Sequence, residues 1–120
     1  MTENKHELRE ETIEFALEVS DVCEKIKGYS VYTNQLLHSS SSIGANVYEA
    51  KYAQSKADFV NKLEIALKES SETEYWIELL YRKQKFENEE YNRIKNKCGV
   101  IRRKLIASIT TAKKNESNGY

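Results

Sequence analysis

The chain has 120 residues, 39% of them hydrophobic and 32% charged, with four glycines, no proline and a formal net charge of zero. That length buries one core rather than two, and a proline-free, glycine-poor composition suits long helices while starving a turn-rich β fold. No apolar run approaches the roughly 20 residues that span a bilayer, so no membrane-spanning helix and no membrane partner are expected.

The start, MTENKHELREE, lacks the apolar stretch and small-residue cleavage site of a secretory signal, and a cytoplasmic protein is expected. Cys23 and Cys98 stand far apart without CxxC spacing, which argues against zinc and against a disulfide framework; two buried thiols are expected. Charge is unevenly spread. Residues 1–30 carry four basic against eight acidic side chains, and residues 88–120 carry eight basic against three acidic. An acidic first quarter and a basic last quarter attract each other if they lie side by side, whereas a basic segment left open attracts polyanions.

In the first predicted helix the inward positions are Leu8, Thr12, Phe15, Val19, Val22 and Ile26, widened by Ala16 and Cys23. This alternation of four- and three-residue steps marks one buried helical face. Gly28-Tyr29-Ser30 supplies the stop and turn.

The next segment contains HSSSSIGAN, residues 38–46, which resembles a loop at first sight. The same spacing nevertheless continues through Tyr32, Leu36, Ser39, Ile43, Asn46 and Ala50. The serines are in phase with a second helix. Serine is a weak helix former and glycine costs about 1 kcal/mol relative to alanine, so tertiary contact must hold this stretch. Ser39, Ser42, Gly44 and Ala45 leave room for another backbone to approach. The competing readings are a local break and a phosphate-binding loop, but a phosphate loop calls for several glycines and a following lysine.

A third helix is predicted over about 55–84, with Ser55 as N-cap, Asp58 completing an acidic capping pattern, and Phe59, Leu63, Ala66, Ser70, Thr73, Ile77 and Leu80 facing inward. A fourth begins near Glu89 and turns Tyr91, Ile94, Cys98, Ile101, Leu105, Ile109 and Ala112 toward the core. Its polar faces hold Arg93, Lys95, Lys97, Arg102, Arg103 and Lys104, the candidate contacts to RNA or DNA. Four amphipathic helices joined by short connections predict an antiparallel up-down-up-down four-helix bundle over 1–114, with a flexible tail at 115–120.

The site chemistry expected of a bundle enzyme is missing from this pattern. Neither His6 nor His38 follows a glutamate by three residues, as a ferritin-like di-metal site requires. No nucleophile with a paired base is apparent, and no metal or other cofactor is expected. Asn46, Glu49, Ser70 and Thr73 are candidates for a buried polar network that fixes register, with a solvated face as the competing reading for the glutamates. Tyr48, Tyr52, Tyr75, Trp76 and Tyr81 exceed what one small core holds, so some of them mark an interface.

The run from Gln35 to Leu80 resembles the bacterial four-helix-bundle proteins of the 23S ribosomal RNA intervening-sequence protein family. The similarity rests on Gln35-Leu36, Ser42-Ile43, Asn46 with Glu49-Ala50, Phe59 with Leu63, Ala66-Leu67-Lys68-Glu69 and Glu72-Thr73-Glu74. The family is related to the accessory variability protein of diversity-generating retroelements, a basic pentamer that binds nucleic acid. The resemblance implies a bacterial homopentamer of four-helix bundles without enzymatic activity. Two functional expectations follow. One is an oligomeric scaffold or adaptor assembled through Ser42 and Gly44 and the Tyr75/Trp76 region; the other is an RNA- or DNA-binding accessory protein that uses the basic face of helix four.

Overall fold

A computed structural model describes the backbone of residues 2–119 and the side chains of residues 7–115. The side chain of His6, residue 120 and, beyond Asn115, the side chains of the expected tail lie outside the described residues. Four helices follow one another: α1 (Thr2–Lys25), α2 (Ser30–Ala50), α3 (Lys56–Arg82) and α4 (Asn88–Gly119). Each packs against two neighbours in the order α1-α2-α3-α4-α1, and among the described residues the backbones of the diagonal pairs do not approach closely. The result is the predicted all-α four-helix bundle, 51 × 23 × 19 Å. Cross-links fix the antiparallel sense: Glu18 with Lys97 and Glu11 with Lys104 join α1 to α4, and Glu74 with Arg102 and Glu64 with Lys113 join α3 to α4.

The core follows the predicted stripes. Leu8, Phe15, Val19 and Val22 of α1 meet Leu36 and Ile43 of α2, Leu63, Ile77 and Leu80 of α3, and Ile94, Ile101, Leu105 and Ile109 of α4. Each fully buried side chain of this size contributes about 1.5–3 kcal/mol. Ile26 and Phe59 are packed at the margin rather than sealed, and Val47, Val60 and Phe86 join the core beyond the predicted set.

The helix ends show which local signals acted. Ser55 caps α3 by accepting from the Asp58 amide at 3.0 Å, and the Asp58 carboxylate in turn accepts from the Gln54 amide at 3.3 Å. Two connections lie at the opposite end of the bundle, and both contain left-handed residues. Gly28 has φ 80°, Tyr29 follows at φ 56°, and Gln84 adopts φ 62° after α3. Gln84 completes a C-terminal turn in which the Lys85 amide donates to the Leu80 carbonyl at 2.9 Å. Left-handed backbone favours glycine, so Tyr29 and Gln84 are held there by these surroundings.

The serine run is helical throughout. Its hydroxyls turn back on their own helix: Ser39 donates to the Leu36 carbonyl at 3.4 Å, Ser40 to Leu37 at 3.3 Å and Ser41 to Leu37 at 2.8 Å. Ser39 and Ser40 are buried with their polar groups satisfied, leaving neither a loop nor a phosphate cradle. Gly44 faces α1, where an added Cβ would sit 3.0 Å from the Thr12 Oγ1 and 3.2 Å from its Cβ. A side chain here would have to push Thr12 aside, so glycine favours the close approach of the two helices.

Gly44→Val is expected to destabilise the fold by about 1–3 kcal/mol through overpacking. Combined with Thr12→Ala, the loss should fall short of the sum of the two single losses, as urea unfolding of the four-member mutant cycle will measure.

Candidate functional site

The polar centre is smaller than the sequence pattern suggested. Thr73 of α3 donates its hydroxyl to Ser39 of α2 at 2.9 Å, fully inside the bundle, and lies 2.8 Å from the Glu69 carbonyl as well. Ser70 donates to the Leu67 carbonyl at 2.6 Å, and the Cys98 thiol reaches the Ser70 carbonyl at 3.6 Å. The other two expected members lie elsewhere. Asn46 donates to the Ser42 carbonyl one turn back at 2.8 Å, and exposed Glu49 pairs with Lys62 at 3.0 Å. The four-membered network is therefore corrected to a Ser39–Thr73 bridge with Ser70 and Cys98 beside it. Ser39 carried the signal: it occupies an inward position at the level of Thr73 when the two helices run antiparallel.

Both thiols are buried and reduced. Burial pushes the Cys98 thiol up to about 12 and that of Cys23 up to about 11. Neither supplies a thiolate nucleophile near neutral pH. Among the described residues, no three His, Cys, Asp or Glu side chains converge to hold a metal ion. The surface depressions are lined by groups already paired, such as Glu49 and Lys62 at the α2–α3 turn, and Glu74, Glu78, Lys95 and Arg102 on the α3–α4 seam.

The candidate nucleic-acid face of α4 is largely engaged within the bundle. Lys97 binds Glu18, with Arg93 at 3.9 Å from the same carboxylate. Lys104 binds Glu11 at 2.6 Å and Glu7 at 3.1 Å, and Arg102 binds Glu74 at 3.1 Å. Lys95 donates to the Tyr91 hydroxyl at 3.2 Å, and that hydroxyl donates to Glu78 at 2.6 Å. These bonds hold the Lys104 and Lys95 ammoniums above the usual lysine range, chiefly through Glu11 and Tyr91 respectively, and the Tyr91 hydroxyl holds Glu78 below the usual carboxylate range. Arg103 alone among the six makes none of these bonds; its guanidinium lies over Gly99, 3.3 Å from where a Cβ would stand. The acidic α1 and basic α4 thus neutralise each other along their shared seam.

The candidate interface residues divide as well. Gly44 serves contact inside the bundle, against Thr12, which corrects its assignment to an outer interface. Ser42 is half-buried beside it. Tyr75 is 59% exposed and meets half-buried Trp76 edge-on, with centroids 4.9 Å apart. Trp76 stacks on Tyr32 at 6.0 Å, Tyr32 on Tyr29 at 5.9 Å, and Lys83 and Lys85 lie over the Tyr29 ring. Tyr48 and Tyr52 are exposed near the far end of α2. Aliphatic side chains that the sequence pattern did not flag are also open: Ile13, Leu17, Val31 and Ile106.

Comparison with known proteins gives a consistent picture. The family model for the 23S rRNA-intervening sequence protein matches residues 4–107. A crystal structure of a protein of unknown function from the S23 ribosomal protein family of Bacteroides thetaiotaomicron superposes with a TM-score of 0.85. It is 41% identical in sequence, over 89% of this chain and 98% of that one. No curated protein matches significantly.

Thr73→Val keeps the shape but removes the bridging hydroxyl and should cost about 1–2 kcal/mol. Glu49→Ala, which cuts only a surface pair, should stay within about 0.5 kcal/mol, both read by urea unfolding. Unfolded thiols ionise near their ordinary 9.0, while the folded thiols stay neutral to about 11 and 12. Their contribution is complete below pH 9.0 and lost as pH rises through that window. The double variant Cys23→Ala/Cys98→Ala should therefore show a flatter alkaline stability curve than the parent chain.

Proposed function

Because the chain belongs to the 23S rRNA-intervening sequence protein family, we propose that it acts as a bacterial, cytoplasmic, non-enzymatic scaffold or adaptor assembled from copies of itself, in the five-membered form that the resemblance implies. The observation that carries this reading is the contrast between charge and apolar surface. Eight large hydrophobic side chains are exposed among the described residues, Tyr75 and Leu17 to 59% and 60%. Exposed apolar groups in contiguous patches mark protein contact. At the same time, most of the basic side chains of α4 hold carboxylates of the same chain. Nucleic-acid binding at physiological salt rests on many free phosphate contacts, and these residues offer few.

Sedimentation velocity at micromolar concentration should give a single species several times the mass of the 14.0 kDa chain. A monomer overturns the scaffold reading. Filter binding with structured RNA should show no retention that depends on α4. Tight, steeply salt-dependent retention abolished by Arg102→Glu/Arg103→Glu would favour the nucleic-acid accessory role instead.

A further inference from the structure

Helix α1 carries two acidic rows. The first, Glu7, Glu11 and Glu18, is bound by α4. The second, Glu10, Glu14, Asp21 and Glu24, is exposed, and none of the four carboxylates has an ion-pair partner among the described residues. Between them on the same outward stripe stand Ile13, 46% exposed, and Leu17. An apolar centre framed by unpaired carboxylates fits a surface with an apolar centre and unpaired cations.

This chain has such a surface on another side. The Glu74–Arg102 and Glu64–Lys113 pairs set α3 and α4 in an antiparallel register that places Lys68 and Tyr75 alongside Ile106 and Arg103. Tyr75 and Ile106 are exposed, 59% and 43%. Lys68 and Arg103 are exposed too and enter none of the ion pairs among the described residues. Of the acids that share this face, Glu64 and Glu74 are already paired, and Glu72 accepts from the Trp76 indole at 3.3 Å. The cations this face leaves without an ion pair are therefore Lys68 and Arg103, and the unpaired anions of the outward α1 stripe are their counterpart.

We propose that the outward stripe of α1 docks on the outer α3–α4 face of a second copy of the chain, with Ile13 and Leu17 against Tyr75 and Ile106 and the carboxylate row against Lys68 and Arg103. The inference rests on the scaffold reading and names its contact. The two faces are built from different residues, on the outside of α1 and on the outside of α3 and α4, so the contact is heterologous. Each copy offers one donor and one acceptor face. Two α1 stripes repel, which disfavours a face-to-face dimer through that helix.

Two variants test this, both at exposed positions and both checked by thermal melting to confirm that the fold is kept. Variant one is Ile13→Glu/Leu17→Glu; variant two is Lys68→Glu/Arg103→Glu/Ile106→Glu. Sedimentation should show each variant alone as a monomer at concentrations where the parent chain assembles. Each keeps one intact face, so an equimolar mixture should form a heterodimer of twice the 14.0 kDa chain mass and nothing larger. A mixture that stays monomeric overturns the proposal, as does persistence of the parent assembly in either variant. A parent chain that is itself monomeric overturns the scaffold reading as a whole.

Discussion

The close approach of α2 to both of its neighbours is the constraint on which the bundle depends. Over little more than one turn, Ser39 meets Thr73 of α3 and Gly44 meets Thr12 of α1. Larger side chains at these positions would hold the helices apart and leave gaps around Leu36 and Ile43, and such gaps are costly in interiors packed as densely as crystals. A serine- and glycine-rich segment forms a poor helix in isolation. Its order comes from the packing that its small side chains permit.

Charge sorting acts at a second level. α1 and α4 share the fewest close contacts of the four neighbouring pairs, and their seam is lined by Glu18, Lys97, Glu11 and Lys104 rather than by core side chains alone. Exposed pairs contribute little singly, though their mutual placement selects one register over others. Arg93, Lys97 and Lys104 of α4 pair across this seam and Arg102 and Lys113 pair with α3, so much of the basic charge visible along the chain is matched by carboxylates within the bundle. Among what these pairs leave over are the carboxylates on the outside of α1 and the cations Lys68 and Arg103 on α3 and α4.

Much of the fold was legible because a repeat of alternating four- and three-residue steps reports burial directly. All seven inward positions read on α4, from Tyr91 to Ala112, are buried. Margins were less legible: Ile13 and Leu17 are apolar but fall off the inward stripe, and only the packed structure shows that no neighbour covers them. The polar network was misjudged for a similar reason. Periodicity places Asn46 near the inward face, but its amide finds a carbonyl on its own helix, and that local bond competes successfully with any cross-helix partner. The charged face of α4 was read correctly as basic, yet periodicity along one helix carries no information about which carboxylates stand opposite.

Trp76 is the chain's one tryptophan, and it sits inside a row of tyrosines, between Tyr32 at 6.0 Å and Tyr75 at 4.9 Å. Its indole N–H lies 3.3 Å from Glu72 at the protein surface. Excitation absorbed by the neighbouring tyrosines will pass to this single indole, so emission from the whole chain reports one place, the groove between α2 and α3. The molecule therefore carries a built-in optical label there, and a change of colour or intensity will reveal whether that groove is wet or covered without any added dye.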